Sequence, residues 1–267
     1  MANLKPPLPR ALRPKPKGPS EDNGHAPAGI KDKAAEKGVS VVDWVDERTS
    51  MSGGARWLMF RKIPKGTNWF YTLGSATLFA FLSQAVTGVI LAMYYDPSAT
   101  RAYESMRHLT NEVFLGEFVR GMHKWGSTVM VILVFLHMAR TFFWGAYKYP
   151  RELNWVIGVV LLILTLFFSF TGYLLPFDQR SFWATTVGVA INGTGPLVGP
   201  YLNDFLRAGP EFGTTTLARF YALHMLVLPA MIATMIGAHL YLVARLGTTA
   251  PPWIRADIDP DLRKDET

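Results

Sequence analysis

Four apolar runs divide the chain: Trp69–Tyr95, Met122–Trp144, Leu153–Leu175 and Leu217–Ala244. A helix needs roughly 20 residues to cross about 30 Å of hydrocarbon, so each run is long enough to span a membrane. The pattern predicts an all-α membrane protein of four transmembrane helices, spans A to D. The A–B connection, Asp96 to Gly121, is polar and mixed in charge. The C–D connection, Pro176 to Thr216, is long and rich in Gly and Pro. Connections of that length between packed helices are usually functional, and short helices lying along the membrane face are expected within it. Ahead of span A, Val41, Val42, Trp44 and Val45 alternate with Asp43, Asp46, Glu47 and Arg48, the pattern of a short amphipathic surface helix. Pro64 and Gly66 then break the chain. Residues 1–40 hold Pro, Lys, Gly and Ala but no apolar core, which predicts a disordered basic tail and no cleavable signal. The expected organisation is this tail, a four-helix domain over 41–247 and a polar tail over 248–267.

Composition agrees with the pattern. Hydrophobic residues make up 49% of the 267 and mean hydropathy is +0.15, high for a soluble domain. The net charge of +7 raises the question of nucleic acid, but its placement points to a membrane. With four spans, both termini and the B–C connection share one side. That side carries 20 of the 27 Lys and Arg residues, and the other side has Lys124 as its sole lysine. Positive residues stay on the cytoplasmic side, so the termini are expected there, in an inner or plasma membrane, with no nucleic-acid partner. Trp69, Tyr95, Trp144 and Trp155 fall at span ends, where an aromatic belt belongs. The absence of cysteine excludes disulfides, thiolate-held iron–sulfur clusters and thioether-linked haem on this chain.

Ionisable residues inside a span are costly and usually functional. His123 and His137 lie in span B, His224 and His239 in span D. At about 100° per residue, a 14-residue step returns to within about 40° of the same helix face and a 15-residue step to within about 60°. Each pair therefore projects from one side of its helix, about 21–22 Å apart along the axis. Two such helices facing each other build two stacked bis-imidazole sites, and imidazole is an axial ligand of haem iron. The plainer reading is a satisfied polar residue in a bundle, which suits one histidine better than two matched pairs. Zinc is the weaker metal, because the members of a pair are too far apart to share an ion. Span A holds Gly74 and Gly88 and span C holds Gly158 and Gly172, both pairs 14 apart. Glycine allows close backbone approach, which suggests that spans A and C flank porphyrins, although small residues also serve ordinary helix packing.

Five segments together resemble the cytochrome b subunits of quinol–cytochrome c oxidoreductases: DWVDER (Asp43–Arg48), RGMHKW (Arg120–Trp125), YPRELNW (Tyr149–Trp155), TGYLLPFDQRSFW (Thr171–Trp183) and TLARFYALHMLVLP (Thr216–Pro229). The resemblance covers about Val42 to Gly247. It is nearest to the split four-helix form, cytochrome b-six of cytochrome b/f complexes, given the 15-residue step from His224 to His239 and the end of the chain soon after span D. It implies two non-covalent b-type haems, the outer ligated by His123 and His224 and the inner by His137 and His239. Arg120 and Arg140, each one turn from a ligand, become candidates for the haem propionates, with Arg245 a weaker one. Pro176, Phe177, Phe182 and Trp183 would form part of an outer quinol site, whose remainder belongs to a companion membrane subunit carrying the later helices. A Rieske iron–sulfur protein, a c-type cytochrome and a dimeric complex complete the implied partners. Many split forms hold a further c-type haem on a cysteine that matches Thr72 here, so no covalent haem is expected. The implied function is electron transfer between outer and inner quinone sites with proton translocation. Two rivals stand beside it: a di-haem anchor of another quinone-linked enzyme, whose kind lacks the PFDQRSFW loop, and a haem-free transporter or channel.

Overall fold

The computed structural model describes residues 41, 43–49 and 66–251. The expected tail at 1–40 and most of the tail at 248–267 lie outside that range. Residues 43–49 form a short helix (α1). Its Arg48 guanidinium lies 4.1 Å over the Trp44 ring.

Four helices are long and apolar enough to cross a membrane. Span A is a 3-10 turn, Trp69–Thr72, leading into α2, Leu73–Ala92. The turn starts at Asn68, whose side chain accepts from the Phe70 N–H and satisfies one of the orphan donors of a helix start. Span B is α4, Gly116–Phe143, and span C is α5, Glu152–Tyr173. Span D is composite: α8 (Thr214–Ala222), a π-helical turn (Leu223–Val227) and α9 (Leu228–Leu246).

Span B starts six residues before the apolar run does. A helix continues past the hydrocarbon as long as its backbone bonds are made, and it stops at Leu115, where the backbone turns left-handed at φ 57°. The C–D connection contains the expected helices, α6 (Gln179–Gly193) and α7 (Gly199–Arg207). The A–B connection contains one the apolar pattern does not predict, α3 (Ala102–Asn111). Ala102 and Leu109, seven residues apart, are buried on one face while Arg107, His108 and Glu112 face outward. Its polar majority hides that narrow stripe.

The spans pack as two pairs, α2 on α4 and α9 on α5. Between the pairs, at mid-height, Ala80, Phe81, Met130 and Ile232 form a buried core with Leu133, Leu164 and Phe168 around it. A second core joins α3, α6 and α7 to the ends of spans C and D through Ala102, Leu174, Val189, Leu206, Leu217 and Phe220. Tyr95 fastens the end of span A to this layer by donating to the Leu175 carbonyl at 2.6 Å. At the opposite end Arg151 donates to the carbonyls of Leu246 and Gly247, closing the C-terminus of span D with the charge its dipole favours. Outward-facing apolar side chains such as Phe79, Trp125 and Leu226 are exposed, as a lipid-facing surface requires.

Candidate haem-binding site

The four span histidines meet in two facing pairs. The rings of His123 and His224 lie 6.3 Å apart, centroid to centroid, at an interplanar angle of 75°. Those of His137 and His239 lie 6.3 Å apart at 80°. Two metal–imidazole bonds of about 2 Å each, plus the ring radii, span roughly 6 Å, so each gap suits one metal ion with an imidazole on either side. Among the described residues no three or more His, Asp or Glu come together as a metal-binding group, so each gap offers two imidazoles.

Each imidazole backs onto a glycine of its own packing partner. A side chain added at Gly172 would come within 2.5 Å of His224, at Gly74 within 3.0 Å of His137, at Gly88 within 3.3 Å of His123 and at Gly158 within 3.7 Å of His239. The sequence suggested glycines lying against porphyrin; here the first atoms a side chain would meet belong to a histidine ring. The spans are close because α2 and α5 each leave room for the histidines of α4 and of span D.

Hydrogen bonds orient the first pair. Thr87 donates its hydroxyl proton to the Ser83 carbonyl at 2.7 Å, so its oxygen accepts from His123 Nδ1–H at 2.9 Å. His224 Nδ1 donates to the Phe168 carbonyl at 3.1 Å, with Thr171 Oγ1 at 3.3 Å. A carbonyl can only accept, so the proton of His224 is on Nδ1 and Nε2 keeps its lone pair. The carbonyl holds the His224 ring in the tautomer that ligates a metal through Nε2, and the Thr87 oxygen, with its own proton given to Ser83, favours the same tautomer at His123. Sequence reasoning missed these threonines, although a signal was present: Thr87–Gly88 and Thr171–Gly172 are the same dipeptide on the matching ends of spans A and C. The glycine admits the ring and its neighbour holds it.

Gln84 was missed as well. With its amide oriented to satisfy its neighbours, its NH2 donates to the His123 carbonyl at 2.8 Å and its oxygen accepts from the Ser127 N–H at 3.3 Å. It occupies space that only a glycine at 126 leaves open, since a Cβ there would lie 2.1 Å from the amide oxygen in this orientation. Met130, Val131 and Phe168 line the remaining cleft beside His123 and His224, which keeps it apolar.

The arginines differ. Arg140, 8% exposed, lies 3.8 Å over the Tyr71 ring, and its Nε and Nη2 have no hydrogen-bond partner among the described residues. A buried guanidinium with unpaired N–H groups is costly unless an anion meets them. Arg120 donates to the Thr110 hydroxyl at 3.0 Å and borders a cavity of about 240 Å³ together with Arg107, Pro176 and Asp178. Arg245 is exposed near the end of α9. Phe177, with φ +47°, turns the chain so that its ring meets Phe182 at 5.9 Å, and Phe182 in turn meets Trp183 at 5.2 Å and Phe212 at 5.9 Å. Trp183 is 60% exposed, which leaves an open aromatic face at this end. Thr72 binds its own turn, donating to the Trp69 carbonyl.

Comparison with known proteins agrees with this geometry. The protein-family model described as Cytochrome b/b6/petB matches residues 59–247. The menaquinol:cytochrome c reductase cytochrome b subunit of Geobacillus thermodenitrificans is 41% identical over 219 residues, covering 79% of this chain and 98% of that one. The cytochrome b6 of Heliobacterium modesticaldum is 42% identical over 212 residues, covering 79% and 100%. Among solved structures, a chain of a hyperthermophilic respiratory Complex III superimposes with a TM-score of 0.74 at 30% identity. The match covers 82% of this chain and 59% of that longer one.

Proposed function

Since the chain belongs to the cytochrome b family, in its split four-helix form, we propose that it is the di-haem electron-transfer subunit of a quinol–cytochrome c oxidoreductase complex. The observation that carries this reading is the pair of bis-imidazole gaps, equal at 6.3 Å and stacked along one bundle. His123 and His224 hold the outer haem, and His137 and His239 the inner one. When bound, the haems supply two one-electron carriers between the membrane faces. The protein's part is to fix and tune them. Thr87 and the Phe168 carbonyl draw on the Nδ1–H of the outer ligands and make them better donors. Gly74, Gly88, Gly158 and Gly172 give the four rings room.

Arg140 meets an inner propionate with its unpaired N–H groups, and Arg120 meets an outer one from the rim of its cavity. Pro176, Phe177, Phe182 and Trp183 form this chain's share of the outer quinol site, apolar and aromatic to suit a quinone ring. A companion membrane subunit carrying the later cytochrome b helices supplies the rest. A Rieske iron–sulfur protein and a c-type cytochrome accept electrons, and the complex is a dimer. The chain crosses an inner or plasma membrane four times with both termini cytoplasmic. Quinol oxidation outside and quinone reduction inside contribute to proton translocation. With no cysteine on the chain, both haems are non-covalent.

The test is haem quantitation on the purified complex together with redox titration of histidine variants. Two haems per chain, both removed by acidified acetone, are expected. His137→Ala and His239→Ala should each lose one and the same centre, and His123→Ala and His224→Ala the other. Loss of one common centre by His137→Ala and His224→Ala defeats the pairing, and a haem that stays on the chain after extraction defeats the non-covalent assignment.

A further inference from the structure

The ligand steps on the two helices are unequal, 14 residues on span B and 15 on span D, yet the ring pairs they form are equally spaced. Span B is α-helical without interruption from Gly116 to Phe143. In a regular helix, residue 15 lies about 100° further round than residue 14. Span D laid out as a plain α-helix would therefore carry its second histidine about 60° to one side of the first, where span B carries its own about 40° to the other, and the two helices would not offer their rings in the same register. The rings meet at 6.3 Å at both levels instead.

The difference is absorbed at Leu223–Val227. There the Leu228 N–H donates to the Leu223 carbonyl, five residues back rather than four. A π turn takes one more residue than an α turn, so 15 residues containing one such turn rotate about as far as 14 without it. The sequence supplies the reason for its position. Pro229, just after the turn, has no N–H to give the Met225 carbonyl, and in a regular helix its ring would crowd that same carbonyl. The α-helical ladder is already broken at this point, so widening it here sacrifices little.

We propose that the turn at Leu223–Val227 is the ligand-positioning element of span D: it absorbs one residue, which sets His224 opposite His123 while His239 stays opposite His137. The proposal rests on the di-haem reading above. It makes step length and turn type interchangeable: 15 residues with the π turn, or 14 without it, give the same facing geometry. One residue can therefore be removed from the turn, but not from the corresponding stretch of span B. Leu226 and Val227 suit the purpose, being 70% and 40% exposed, so that little packing is lost with either.

The experiment compares three single deletions in the whole complex, expressed with its companion subunits: Leu226, Val227 and, in span B, Leu133. The readouts are haem per chain from the reduced pyridine spectrum and the low-spin ferric signals by electron paramagnetic resonance, whose positions report how the two imidazoles are set. Unaltered protein with fewer than two haems per chain refutes the di-haem reading itself, before any deletion is considered. Given two, at least one turn deletion should retain both haems and both signals, while deletion of Leu133 halves the haem. The proposal is overturned if both turn deletions lose a centre or leave no chain in the membrane. It is equally overturned if deletion of Leu133 retains both centres, because the bundle would then tolerate slippage anywhere.

Discussion

At the scale of single residues, the distances from the glycines to the imidazoles rank the substitutions that the site tolerates. Gly172→Ala puts a methyl 2.5 Å from His224, nearer than real side chains approach, whereas Gly158→Ala makes an ordinary contact at 3.7 Å with His239. Overpacking of this kind costs about 1–3 kcal/mol. Reduced-minus-oxidised spectra should show Gly172→Ala losing or shifting the His123–His224 centre, with Gly158→Ala close to the unaltered protein. Equal disturbance in both would assign the glycines to general helix packing. Thr87→Val keeps the shape and removes the acceptor of the His123 Nδ1–H. An imidazole relieved of that bond donates less to the iron and favours the ferric form less. For a bond worth about 1 kcal/mol the midpoint potential of that centre should rise by roughly 20–60 mV. Potentiometric titration checks this, and Thr87→Ser, which retains the acceptor, should restore the original value. The Thr–Gly dipeptides were legible in the sequence, but their meaning was not. Only the packing shows that a hydroxyl one residue before each glycine lies beside the ring the glycine admits.

At the scale of elements, the loop-bearing end is held by one apolar cluster rather than by its connections. Phe220 is fully buried in it, packs on Phe170 at 5.7 Å and lies about one turn before His224. Phe220→Ala should destabilise the protein by about 3–5 kcal/mol. In detergent the midpoint of heat inactivation should fall, and the His123–His224 centre should bleach before the His137–His239 centre. Simultaneous bleaching would mean that the cluster does not govern this end separately. Much at this scale could be read from the chain. The four spans followed from apolar run length, and α6 and α7 from the Gly- and Pro-punctuated length of the C–D connection. Helix α3 did not, because Ala102 and Leu109 supply too narrow a stripe to stand out against Glu104, Arg107, His108 and Glu112. The start of span B did not either, since hydropathy marks where hydrocarbon begins and not where backbone hydrogen bonding does.

At the scale of the whole molecule, the even number of spans and the crowding of Lys and Arg on one side predict a single orientation. Alkaline phosphatase, active only outside the cytoplasm, should be inactive when fused after Leu246 and active when inserted between Gly193 and Gly199. The reverse pattern would invert the bundle, and with it the labels outer and inner. By itself the sequence determined the spans, the spacing of histidines and glycines along them, and the lack of any cysteine to form a thioether to haem. These are properties of one helix at a time or of composition, and periodicity with a fixed rise per residue suffices to read them. The tertiary structure alone decided which face of each span meets which neighbour. It set Thr87 and Phe168 on the ring nitrogens, put Gln84 into the space beside Gly126 and left Nε and Nη2 of Arg140 buried without a hydrogen-bond partner among the described residues. It also took up the odd fifteenth residue in a π turn. The physical reason is the same in each case: a hydrogen bond or a close approach between residues far apart in sequence depends on helices brought together by packing, and no local pattern specifies which ones meet.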